Sequence, residues 1–106
     1  MKPVLLINPN SSEQTTAAML RIVMKHLPDV RGWTNVAAPK MITDPAALEQ
    51  AAGSIADADL PPASAVIVAA FGDPGAVALA QRLDCPVVGI GAAAARAAGQ
   101  DGAQPQ

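Results

Sequence analysis

The first apolar run, "PVLLI" at residues 3–7, has no polar position to alternate with, the pattern of a strand covered on both faces. "NPNSSEQTT" interrupts it. Asn10, with Glu13 three positions on, has the spacing of a helix capping box. Beyond it, Thr16, Leu20, Val23, Met24 and Leu27 recur at helical spacing and predict one apolar stripe, ended by Pro28. Residues 30–37 predict an edge strand weakened by Gly32. "TDPAAL" (43–48) opens a second helix with Thr43 or Asp44 as its cap and Pro45 at its first position. Leu48, Ala52, Ile55 and Ala56 form its inner face, and "LPPAS" (60–64) closes it. "AVIVAA" (65–70) is a second continuous apolar run. In "GDPG", Asp73 and Pro74 repeat the cap-then-proline start, and Val77, Ala80 and Leu83 mark a short helix. "PVVGIG" (86–91) predicts a fourth strand near 86–90, and the alanine-rich segment 92–98 one or two turns of helix.

Strand and helix patterns thus alternate four times. That order predicts an α/β fold: a four-stranded parallel sheet in the order 2-1-3-4, flanked by helices as in a flavodoxin-like lobe. The lobe occupies residues 1–98, and the tail 99–106, without apolar period, is expected to be disordered. Ligands of such sheets bind beyond the carboxyl ends of the strands. That rule selects the loops at 8–13, 37–44 and 70–75.

A chain of 106 residues fits one small domain, and 51% apolar content excludes a disordered one. The net charge of −2, with both signs interspersed, gives no support to a nucleic-acid partner. No apolar run approaches membrane-spanning length, and Asn8 and Asn10 interrupt the short one at the N-terminus, so a cytoplasmic location without membrane contact is expected. A single cysteine, Cys85, cannot form an intramolecular disulfide or a cysteine metal cluster, and His26 alone cannot make a two-histidine site. No metal is expected.

In the first loop, "NPNSS" offers amide and hydroxyl groups with backbone N–H groups at a helix start. Such a place either suits a carboxylate or phosphate, or is simply the cap made by Asn10. It lacks the glycines of a phosphate-binding loop. Phe71 either walls a pocket or plugs the core, and Lys40 is the one cation of the three loops. Cys85 precedes the fourth strand, so it lies at the amino end of the sheet. A strand of about five residues at ~3.3 Å each separates it from the ligand end by roughly 15 Å. His26, at the far end of its helix, is misplaced in the same way. Asp73, Asp44 and Glu13 are the acid–base groups that remain near the corner.

Taken together, "INPNSS" with "TT" close behind, "AAFGDPG" and "PVVGIG" resemble the Asp/Glu/hydantoin racemase superfamily, most closely its hydantoin racemase branch, in order and spacing through residue 98 or so. The resemblance implies an isomerase without cofactor or metal. Such an enzyme inverts a stereocentre beside a carbonyl by proton transfer between cysteines on opposite faces of a small-molecule substrate. It further implies that Asn8, Pro9, Asn10 and Ser11 form the first substrate loop, and that Phe71 and Gly72 follow the first catalytic cysteine. That cysteine's position holds Ala70. A methyl group cannot carry a proton, whereas a thiolate can. The chain also stops near the middle of the family's usual length, so the half that would supply the opposing cysteine is expected to be missing. The reading is a hydantoin- or amino-acid-racemase-like single lobe, inactive alone. The alternative is a non-catalytic module for small carboxylates or ureides, or a truncated fragment. Residues 86–98, apolar and facing the missing half, predict a homo-oligomer.

Overall fold

The protein is described by a computed structural model covering residues 2–70 and 72–100. Strands β1 (Val4–Asn8), β2 (Val30–Thr34), β3 (Ala65–Val68) and β4 (Val87–Gly89) alternate with helices α1 (Glu13–Val23), α2 (Pro45–Ala56), α3 (Ala76–Arg82) and α4 (Ile90–Gln100). The four strands form one parallel sheet in the order β2-β1-β3-β4, as the alternation of patterns predicts. Among the described residues no helix is long and apolar enough to cross a membrane.

The central strand explains the unbroken run "LLI": Leu5, Leu6 and Ile7 are all buried because both faces of β1 are covered. On one face Leu5 and Ile7 sit beside Val66 and Val68 of β3, and Ile55 of α2 and Leu79 of α3 close over them as the main core. On the other face α1 lies over β1 and β2. Gly32, the feature that weakens β2 as a strand pattern, is what lets α1 approach: a Cβ there would lie 2.7 Å from the Thr16 methyl. In the row Leu6–Ile67–Val88 burial fades across this face, from 1% exposed at Leu6 to 41% at Val88. The Arg82 guanidinium donates to the carbonyls of Ala56 and Ala58 (2.8 and 2.6 Å), holding the end of α3 to the end of α2.

Several local expectations are corrected. The cap of α1 is Ser12, whose hydroxyl accepts from the Thr15 N–H at 3.2 Å. Asn10 instead accepts from the Ser12 N–H at 2.9 Å, which turns the chain before the helix begins. Within the predicted stripe Met24 is 58% exposed, since α1 ends at Val23. Strand β2 stops at Thr34 rather than 37, because Ala38 N–H folds back onto the Asn35 carbonyl. The cap-and-proline start holds for α2, where Asp44 accepts from Ala47 N–H at 2.7 Å and Pro45 begins the helix. It fails for α3, which starts from Gly75, because the Asp73 carboxylate is engaged elsewhere. Helix α4 runs to Gln100, across the expected lobe boundary at 98; residues 101–106 of the expected tail, and Phe71, lie outside the described residues.

Candidate functional site

Three strand-to-helix corners meet at the carboxyl edge of the sheet. Between them is a cleft of about 530 Å³, bordered by Asn8, Pro9, Asn10 and Thr15 from the first corner, Ile42 to Pro45 and Leu48 from the second, and Ala69 and Ala70 from the third. The volume suits a small molecule.

The first corner is a closed polar network. Asn8 is 1% exposed, yet every polar atom of its side chain is engaged. Its Nδ2 donates to the Ser12 carbonyl at 2.9 Å and to Thr16 Oγ1 at 3.0 Å, while its Oδ1 accepts from Asn10 N–H at 3.2 Å. The Thr16 hydroxyl continues the chain to Thr34 Oγ1 at 2.7 Å. Ser11 N–H donates to the Pro39 carbonyl at 3.1 Å. The backbone N–H groups of residues 10, 11 and 12 are therefore committed within the protein, and this loop does not present them to an anion. Asn8 shapes the cleft floor rather than reaching out from it. Asn10 is different, since its Nδ2 has no partner among the described residues.

The second corner is anchored by a residue that the sequence pattern does not single out. Asn35 is 2% exposed; its N–H donates to the Asn8 carbonyl at 3.0 Å. Its Nδ2 donates to the Pro9 carbonyl and to Ser54 Oγ, both at 2.9 Å. One amide thus ties β1, β2 and α2 together behind the cleft. No local pattern marks it, since Asn35 follows Thr34 at the end of the mixed strand Val-Arg-Gly-Trp-Thr. Thr43 and Asp44 edge the opening. One Asp44 oxygen is used to cap α2, and the Thr43 hydroxyl has no partner among the described residues.

The third corner brings Ala69 and Ala70 to the cleft. Ala69 N–H donates to the Ile7 carbonyl at 2.9 Å, the last sheet bond, and Asp73 N–H donates to the Ala70 carbonyl at 3.1 Å. The turn then passes through positive φ at Gly72 (89°), Asp73 (50°) and Gly75 (80°).

Of the residues expected to form the site, the structure gathers Asn8, Pro9, Asn10 and Ala70 around one cleft. Ser11 faces away, beside Ser12, Glu13, Gln14 and Lys40. Gly72 lies in a neighbouring depression that shares Pro45 and Leu48 with the cleft. Phe71 is outside the described residues. Cys85 packs against the core at the opposite end of the sheet, near Lys2 and Leu60 to Ala63, and His26 is exposed beyond α1. No thiol, imidazole or amine borders the cleft among the described residues, and Asp44 is its one titratable group. Nor is any group of three His, Cys, Asp or Glu among them placed to hold a metal ion.

No curated protein and no solved structure matches the chain. The sequence does match a family model, Asp/Glu/Hydantoin racemase, across residues 4–104, which includes every strand and every corner of the cleft. With a parallel sheet of the expected order and a ligand-sized cleft at its carboxyl edge, this chain belongs to the Asp/Glu/hydantoin racemase family.

Proposed function

We propose that the chain is a racemase-type lobe of the hydantoin branch that binds a small neutral ureide or amide in the cleft and does not itself exchange the substrate's proton. One observation carries this reading: Ala70 occupies the cleft wall at the end of β3, where the family resemblance implies a cysteine. Two-base racemisation needs a group that takes the proton from one face and another that returns it to the opposite face. A methyl does neither. Groups that could bind a substrate, in contrast, border the cleft. Asn10 Nδ2, the Thr43 hydroxyl and the Ala70 N–H, which has no partner among the described residues, can donate, and the second Asp44 oxygen can accept. A cyclic ureide presents the complementary carbonyl and N–H groups. A free carboxylate finds no cation on this lining, since Lys40 lies beside Ser11 instead.

The test is solvent-deuterium uptake at the stereocentre of each enantiomer of a 5-alkyl hydantoin, followed by NMR. The parent chain should show none above background. Ala70→Cys should exchange one enantiomer faster by about 10²-fold, the lower end of what one positioned acid–base group contributes, without racemising it. Cys85→Ser should change nothing. Uptake by the parent chain would defeat the proposal. A second reading, a purely binding module, is favoured by the intact polar rim around an inert methyl. It predicts that the hydantoin binds both chains while neither exchanges it.

A further inference from the structure

Helix α4 leaves β4 without a loop: Gly89 is the last strand residue and Ile90 the first helical one. The residue preceding the helix therefore has no side chain with which to cap it. The N–H groups that a capping side chain would satisfy, those of Gly91 and Ala92, are instead bonded by a carboxylate from another corner. Asp73 Oδ1 accepts from Gly91 at 2.7 Å and Oδ2 from Ala92 at 2.9 Å.

Three features support this arrangement. Asp73 holds φ at +50°, a conformation most side chains avoid, while its carboxylate bonds the start of α4. A Cβ on Gly89 would collide with the Asp73 carboxyl carbon, so the strand end is kept bare to admit it. Residues 94–97 of the helix are all exposed, and an eleven-residue helix is too short to persist on its own.

We propose that Asp73 is a positioning residue, a latch that seats the start of α4 against the β3–α3 corner and thereby fixes Ala70 in the cleft wall. The backbone completes the coupling, because Asp73 N–H donates to the Ala70 carbonyl and the Asp73 carbonyl accepts from Ala76 N–H, both at 3.1 Å. The separate stretches "GDPG" and "VGIG" are two halves of this one contact. The carboxylate so engaged is a structural cap, not a base for the cleft. Only the role of the Ala70 wall rests on the proposed function; the latch does not.

Residue-resolved amide hydrogen exchange on the full chain tests it, with Asp73→Gly and Asp73→Asn. Glycine accepts the positive φ without strain, so loss in that variant does not come from a strained backbone. In Asp73→Gly the Gly91 and Ala92 amides should exchange at least about tenfold faster, while the Ala69 amide keeps its protection. Asp73→Asn, which retains one acceptor oxygen, should fall between. The corner is read separately: in a Cys85→Ser background, the thiol introduced by Ala70→Cys should change its iodoacetamide alkylation rate several-fold when Asp73→Gly is added. Unchanged protection at 91 and 92, equal loss at Ala69, or an unaltered alkylation rate would overturn the latch. No readout uses a hydantoin, so failure here is distinct from failure of the deuterium experiment.

Discussion

Two corners face each other across the cleft and are built on opposite principles. The β1–α1 corner is held mainly from within: Asn8, Ser12 and Thr16, all inside nine residues of chain, bond one another in an amide and hydroxyl network that runs on to Thr34 of β2. The β3–α3 corner makes no such network among the described residues. It is a run of positive-φ residues stabilised by a contact reaching eighteen residues ahead, to Gly91. A network of neighbours forms with its own turn and moves as one body. A corner tied by one distant carboxylate is only as firm as the helix at the other end of the tie. This bonding pattern predicts one rigid wall and one adjustable wall, with the position where the family resemblance implies a reactive thiol on the adjustable one.

The comparison breaks most visibly at Asn8. Asn8→Ala should destabilise the fold by about 3 kcal/mol, because the part-buried Asn10 N–H loses its acceptor and the Ser12 carbonyl and Thr16 hydroxyl lose a donor. Asn8→Asp should cost about as much, as a carboxylate of the same shape cannot donate to either group. Urea unfolding checks both; a loss under about 1 kcal/mol in each would show that the network does not carry the rigid wall.

The opposite corner should respond to its backbone as well as to loss of the Asp73 carboxylate. Gly75→Ala places a methyl at φ +80° and within 2.8 Å of Ile55 Cγ2. It should destabilise by about 2 kcal/mol from strain and overpacking. A thermal or urea midpoint equal to the parent's would mean that the turn can relax, and the contrast between the walls would weaken.

The difference between the walls also marks what sequence reading could reach. The sheet order, the buried strands and the cleft position were legible, because each follows from an apolar run and from its order in the chain. Helix starts were legible only where the capping group is local: Asp44 and Pro45 behave as their spacing implies. Asp73 has the same spacing before Pro74 and caps a different helix, since its partner is chosen by tertiary contact and no local pattern encodes that. Asn10 was misassigned by two residues for a related reason, its side chain serving the turn that leads to the true cap. Asn35 was invisible because its role needs β1 and α2 in place at once.

The smallest effect sharpens the comparison by separating the surface of the rigid wall from its buried part. Ser12 Oγ caps α1 by accepting from Thr15 N–H at 3.2 Å and from Thr15 Oγ1 at 3.0 Å, both in exposed positions. Ser12→Ala should therefore cost about 1 kcal/mol, the ordinary value for an exposed cap, and Ser12→Gly less, since glycine leaves the helix end open to water. The Ser12 carbonyl, which Asn8 holds, is untouched by either change. Asn8 and Ser12 act on one turn, so once Asn8 is removed the cap has a looser helix start to stabilise. The double variant should fall short of the summed single losses by about 0.5 kcal/mol or more. A Ser12→Ala loss as large as that of Asn8→Ala, fully additive with it, would place the strength of this wall at its surface, and the buried amide would no longer distinguish it from the corner opposite.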